Sequence, residues 1–90
     1  MCAVLVGGLD RLYQEYIETA KSLGVALKVF SGKERSIRKQ LGEADVLILC
    51  TNRVSHSARR EVVRCAEAKQ IPVQMIHSAG VSALKDCIAK

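Results

Sequence analysis

The side chains of this 90-residue chain that could do chemistry are few: two histidines, four cysteines and a scatter of small polar residues. Cys50, His56 and His77 offer one thiolate and two imidazoles, the donor types that zinc or haem iron accepts. Gly7-Gly8, with Asp10 and Arg11 just beyond, offers something else. Backbone amides that no Cβ shields, opening onto a helix, suit an anion. Asn52, Arg53, Ser55 and Ser78 add further polar groups. The Cys-x5-His spacing from Cys50 to His56 is not an established ligand pattern, so a metal site there depends on the fold bringing His77 alongside.

Several chemistries are excluded by spacing. Gly7-Gly-Leu-Asp-Arg11 lacks the later glycine of a dinucleotide fingerprint, and no acidic ribose contact follows the second apolar run. There is no Gly-Lys-Ser/Thr phosphate loop. Ser55-His56 is not read as a nucleophile and its base, because neighbours at a helix start do not bring hydroxyl and imidazole into mutual reach, and no Gly-x-Ser-x-Gly elbow is present. Ser55 reads instead as an N-cap and His56 as a first-turn residue, where the positive end of the helix dipole favours the neutral imidazole that a metal requires. An exposed histidine without a ligand is the simpler alternative. Cys2, Cys50, Cys65 and Cys87 form no Cys-x-x-Cys pair, so reduced thiols in a reducing compartment are expected.

These residues must be positioned by alternating strands and helices. Cys2–Val6 is a short continuous apolar run suited to a strand buried on both faces. Leu9, Leu12, Tyr13, Tyr16, Ile17, Ala20 and Leu23 recur at helical spacing, predicting a helix over 10–23 with Asp10 as N-cap and Gly24 beyond its end. A second strand is expected over 25–30, a short basic helix around Ile37, Leu41 and Ala44, and a third strand over 45–49. A helix then runs from Ser55 to about Gln70 with Ala58, Val62, Cys65, Ala66 and the Lys69 stem inward. Pro72–Ile76 is the fourth strand, and Val81, Leu84 and Ile88 mark a last helix.

Four strand-helix alternations imply an α/β fold: a small Rossmann-like, flavodoxin-like three-layer α/β/α domain. Its four parallel strands are expected in the order 2-1-3-4, with helices one and four on one face and two and three on the other. Ligands in such sheets sit outside the carboxyl ends of the strands, where the winding reverses between strands one and three. That rule gathers Gly7, Gly8, Asp10 and Arg11, Ser31 and Gly32, Cys50, Thr51, Asn52, Ser55 and His56, and His77, Ser78 and Gly80 along one rim. Turn and cap chemistry accounts for about half of them. It does not account for Cys50 and both histidines falling on the same rim.

Val6-Gly-Gly8 with Asp10-Arg11, Ala44-Asp45, Val54-Ser-His-Ser-Ala58 and Ser78-Ala-Gly80 together resemble the bacterial family known as domain of unknown function 2325. Val54-Ser-His56 is the most specific element, and the resemblance spans nearly the whole chain. It implies a small cytoplasmic Rossmann-like domain with no established enzyme activity, and carries Gly7, Gly8, Asp10, Ser55, His56 and Ser78 over as the site. The chain departs from the family pattern at Ser31-Gly-Lys-Glu34, where relatives tend to have His-Asp-Gly-Gly, and at Asn52, where they often have Asp. Both departures argue against a carboxylate-built metal site.

The expected function is therefore a non-catalytic binding module for an anionic small ligand, a phosphate-bearing metabolite or haem. Gly7, Gly8, Arg11 and Arg53 would take the negative groups, and His56 or Cys50 would take the iron of haem. A thiol and histidine site of Cys50, His56 and His77, binding a metal or sensing redox state, is the alternative. A third reading uses charge. The net charge is +5, placed on Lys33, Arg35, Arg38 and Lys39 and on Arg59, Arg60 and Arg64, which would allow nucleic acid to dock on two helices. Aromatics at 3% leave no stacking platform for bases. No apolar run approaches the roughly 18 residues of a membrane span, and a secretory leader is not evident, so a cytoplasmic protein is expected. A homodimer is expected too, since both sheet edges carry little protective charge, burying part of the last helix or the fourth strand with Met75, Val81 and Leu84 near the contact. Cys50 is expected to alkylate before Cys65, its thiolate favoured by helix amides.

Overall fold

The computed structural model describes residues 1–30, 41–51, 54–77 and 80–89. In chain order it contains β1 (Cys2–Val6), α1 (Tyr13–Ser22), β2 (Ala26–Phe30), β3 (Val46–Cys50), α2 (His56–Ala68), β4 (Val73–Ile76) and α3 (Val81–Ala89). Short 3-10 turns at Asp10–Leu12 and Leu41–Glu43 precede α1 and β3. The strands are all parallel, as a chain that crosses over after every strand requires, and they lie in the order β2-β1-β3-β4.

Strand alternation divides the core into two layers. Val4, Val6, Leu47 and Leu49 point to one face, where Val62 and Ala66 of α2 and Leu41 cover them. Leu5, Ile48 and Cys50 point to the other, against Tyr16 of α1 and Leu84 of α3. Ala3 and Ala20 complete that second layer near the start of the sheet. Every residue of β1 from Ala3 onward is fully buried, which explains why its sequence is apolar without alternation. The three-layer arrangement is thus α1 and α3 on one side and α2 on the other.

Helices α1 and α2 end in the same way. At α1, Gly24 adopts φ +77° while its N–H donates to Lys21 and the N–H of Val25 donates to Ala20. At α2, Gln70 takes the left-handed conformation, φ +58°, with its N–H on Glu67 and that of Ile71 on Ala66. Both are the paired carbonyl caps that turn a helix into the next strand.

Several expected boundaries shift. Asp10 does not cap α1: it begins a 3-10 turn with no side-chain cap bond, and α1 starts at Tyr13. Lys69 is exposed rather than inward. The basic helix expected around Ile37 falls mostly outside the described residues. Leu84 is fully buried against Tyr16 and Ile48, so it is a core residue and not a subunit contact.

Candidate functional site

Gly7 adopts φ +92°, a conformation that only glycine enters without strain, and turns the chain at the end of β1. A Cβ there would lie 2.6 Å from Cγ2 of Val54 and 3.1 Å from the Cys50 carbonyl oxygen. Val54 therefore packs directly against the turn that follows β1. The N–H of Gly7 already donates to the Phe30 carbonyl at 2.8 Å. Gly8 is half-buried, and a Cβ there would lie 3.0 Å from Tyr16 and 3.1 Å from Val29. The next amide, Leu9, donates to the Tyr16 hydroxyl at 3.2 Å. The diglycine thus permits close packing and a tight turn. It does not present the Gly7 amide to an anion, which corrects the expectation from sequence. Asp10 and Arg11 are exposed on the turn that follows.

Cys50 is the last residue of β3, not the first residue of a loop. Its side chain is 1% exposed and packs with Leu5, Tyr16 and Leu84, on the sheet face opposite α2. His56 opens α2 on the other face, so strand alternation separates the two. His77 is exposed, with Nδ1 3.2 Å from Oγ1 of Thr51, whose hydroxyl also lies 3.4 Å from the Ile76 carbonyl oxygen. Among the described residues no group of three His, Cys, Asp or Glu side chains is placed to hold a metal ion. Cys50, His56 and His77 accordingly do not assemble as a three-ligand centre. Asn52, Arg53 and Ser78 lie outside the described residues.

The start of α2 is built as its sequence suggests. Ser55 has extended backbone geometry and its hydroxyl accepts from the Ala58 N–H at 3.2 Å, capping the first turn. His56 is exposed, and the Arg59 guanidinium one turn later lies 2.9 Å from its Nδ1. A guanidinium can only donate, so Nδ1 accepts and the imidazole proton sits on Nε2. Nε2 then offers an N–H, the wrong end for a metal and the right one for an anion.

Beside this pair runs a groove of about 290 Å³ between α2 and the β4 edge, lined by His56, Arg59, Arg60, Val63, Arg64, Glu67 and Met75. Arg59, Arg60, Arg64 and His56 share this lining with Val63 and with Met75, which is 56% exposed. Glu67 is the one acid among its described lining. A larger hollow of about 560 Å³ on the outer side of α2 draws all its described lining, including Arg60, Arg64 and Cys65, from that one helix. The α2–β4 groove is the better built, because two elements form it. From sequence, Arg59 belongs to a nucleic-acid patch and Met75 lies near a dimer contact, and neither is joined to His56. The spacing of three between His56 and Arg59 was the available signal. Nothing local linked them to Met75, which is 19 residues further along.

Comparison with curated proteins and with solved structures returned no match. One family model, described as an uncharacterized protein conserved in bacteria, matches residues 2–90. The match covers nearly the whole chain, and the chain belongs to the DUF2325 family.

Proposed function

We propose that this domain is a non-catalytic binding module for an anionic ligand, held beside His56 in the groove between α2 and β4. The observation that carries the reading is the gathering of Arg59, Arg60, Arg64 and His56 around Val63 and Met75. Arginine offers several donors in a planar fork that matches carboxylate and phosphate oxygens. The Nε2–H of His56 adds a donor whose direction Arg59 sets. Met75 and Val63 favour a ligand with an apolar part as well as a charge. Iron coordination through His56 would require the opposite tautomer, with Nδ1–H facing a guanidinium, so anion recognition is favoured over axial ligation of haem.

Calorimetric titration with inorganic pyrophosphate tests the reading, with haemin followed by its Soret absorption as the second ligand. Arg59→Ala is expected to weaken pyrophosphate binding by about tenfold or more, in line with the ~1.5–3 kcal/mol of a charged hydrogen bond. His56→Ala should weaken it as well while leaving the melting temperature nearly unchanged, since the side chain is exposed. Binding that is indifferent to both Arg59→Ala and Arg64→Ala would reject the groove as the site.

A further inference from the structure

The groove is continuous with an open strand edge. The carbonyls of Pro72 and Ile76 accept from Leu47 and Thr51 of the β3 side, so residues 72, 74 and 76 direct their backbone groups inward. Successive residues of a strand alternate, and Val73 and Met75 therefore direct their N–H and C=O groups away from the sheet. Among the described residues no strand pairs with that edge. Val73-Gln-Met-Ile76 carries no charge, so it lacks a common device by which sheet edges discourage pairing.

The two sides of this edge differ in chemistry. On the α2 side stand Arg59, Arg60 and Arg64, with Glu67 the only opposing charge among the described lining. On the α3 side a hollow of about 350 Å³ is lined by Gln74, Met75, Ile76, His77, Ala83, Asp86 and Cys87, where no guanidinium is present among the described lining and Asp86 is the one acid. A strand added beside β4 would send alternate side chains to these two sides. One set would meet guanidiniums, and the other would meet Ile76, Ala83 and Cys87.

We infer that β4 takes an extended segment of a partner protein in which acidic and apolar residues alternate, the acids facing Arg59, Arg60 and Arg64. This inference rests on the reading of the α2–β4 groove as an anion site and names the class of anion as peptide carboxylates. A small metabolite would meet the arginines and leave the outward groups of Val73 and Met75 unpaired by protein; a strand satisfies both. A second copy of this chain is disfavoured by charge. Antiparallel pairing of β4 with its own copy about a two-fold axis keeps α2 on the same sheet face in both subunits, so the three arginines would confront three more.

Fluorescence anisotropy of the whole domain with a labelled ten-residue peptide of alternating Glu and Val provides the test. Saturable binding is expected, weakened at least tenfold by Arg59→Glu with Arg64→Glu, and at least tenfold by Met75→Pro. Proline at Met75 removes an outward N–H without removing a bond to β3, and an unchanged circular dichroism melt confirms that the variant is folded. N-methylation of alternate peptide amides should abolish binding in one of the two registers. Pyrophosphate binding without peptide binding would overturn this inference and leave the anion site standing; absence of both would remove the two together. Peptide binding lost with the arginine changes but indifferent to Met75→Pro and to either N-methylated register would mean a charged patch without strand pairing, which overturns it. So would a particle of twice the 9.8 kDa chain mass that Met75→Pro dissociates and the peptide cannot compete.

Discussion

At the scale of single residues, the glycine and cysteine that most invited a chemical reading are packing residues. Gly7 is required by its φ of +92° and by Val54 lying where its Cβ would be. Gly7→Ala is therefore expected to destabilise the domain by about 2–4 kcal/mol, combining the cost of the left-handed conformation with overpacking. Chemical denaturation measures it, and a change below about 1 kcal/mol would contradict the close approach. Cys50, 1% exposed, cannot be the fastest thiol of the native protein. Cys2, Cys65 and Cys87 are only half-buried. Alkylation followed by mass spectrometry should label Cys65 ahead of Cys50, with Cys50 modified only at the rate at which the domain opens. This reverses the order expected from sequence, where Cys50 was placed beyond the strand rather than as its last inward-facing residue.

At the scale of elements, the ends of helices carry more information than their middles. Helices α1 and α2 close with the same pair of capping bonds, yet one uses Gly24 and the other Gln70 at the left-handed position. A side chain there costs on the order of 1 kcal/mol that glycine does not. Gln70→Gly is thus expected to stabilise the domain by about 0.5–1 kcal/mol, readable as a rise of several degrees in the melting temperature. A fall would show that the Gln70 side chain makes a compensating contact. The start of α2 was legible in Ser55 because capping is local chemistry between residues three apart. Asp10 looked like the same device and is not one, because the chain first makes a 3-10 turn whose N–H at Leu9 is bonded by Tyr16 instead.

For the whole molecule, the sheet order sets a gradient of protection. β1 is central and buried on both faces, whereas among the described residues β4 is paired on one side only. Native-state hydrogen exchange should find the β1 amides slowest. The outward amides of Val73 and Met75 should exchange far faster than those of Gln74 and Ile76, which bond toward β3. Equal protection of all four would mean that the edge is covered in solution. No described helix is long and apolar enough to cross a membrane.

The sequence by itself determined the alternation of strands and helices, the parallel order 2-1-3-4 and the family. The alternation and the parallel sheet follow from local periodicity and from crossovers that return each helix over the sheet, both properties of contiguous segments, whereas the family follows from its motifs, Val54-Ser-His56 above all. It also determined that Cys50, His56 and His77 would lie toward one end of the sheet. Only the tertiary structure decided which of them could meet. Cys50 turns inward because its register in β3 assigns it to the α1 and α3 face, and a shift of one residue in the end of that strand would have placed it elsewhere. His56 acquires Arg59 from its own helix, but its apolar neighbour Met75 comes from a strand whose position depends on β3 pairing. Such a groove is a juxtaposition of distant segments, and no spacing in the chain encodes it.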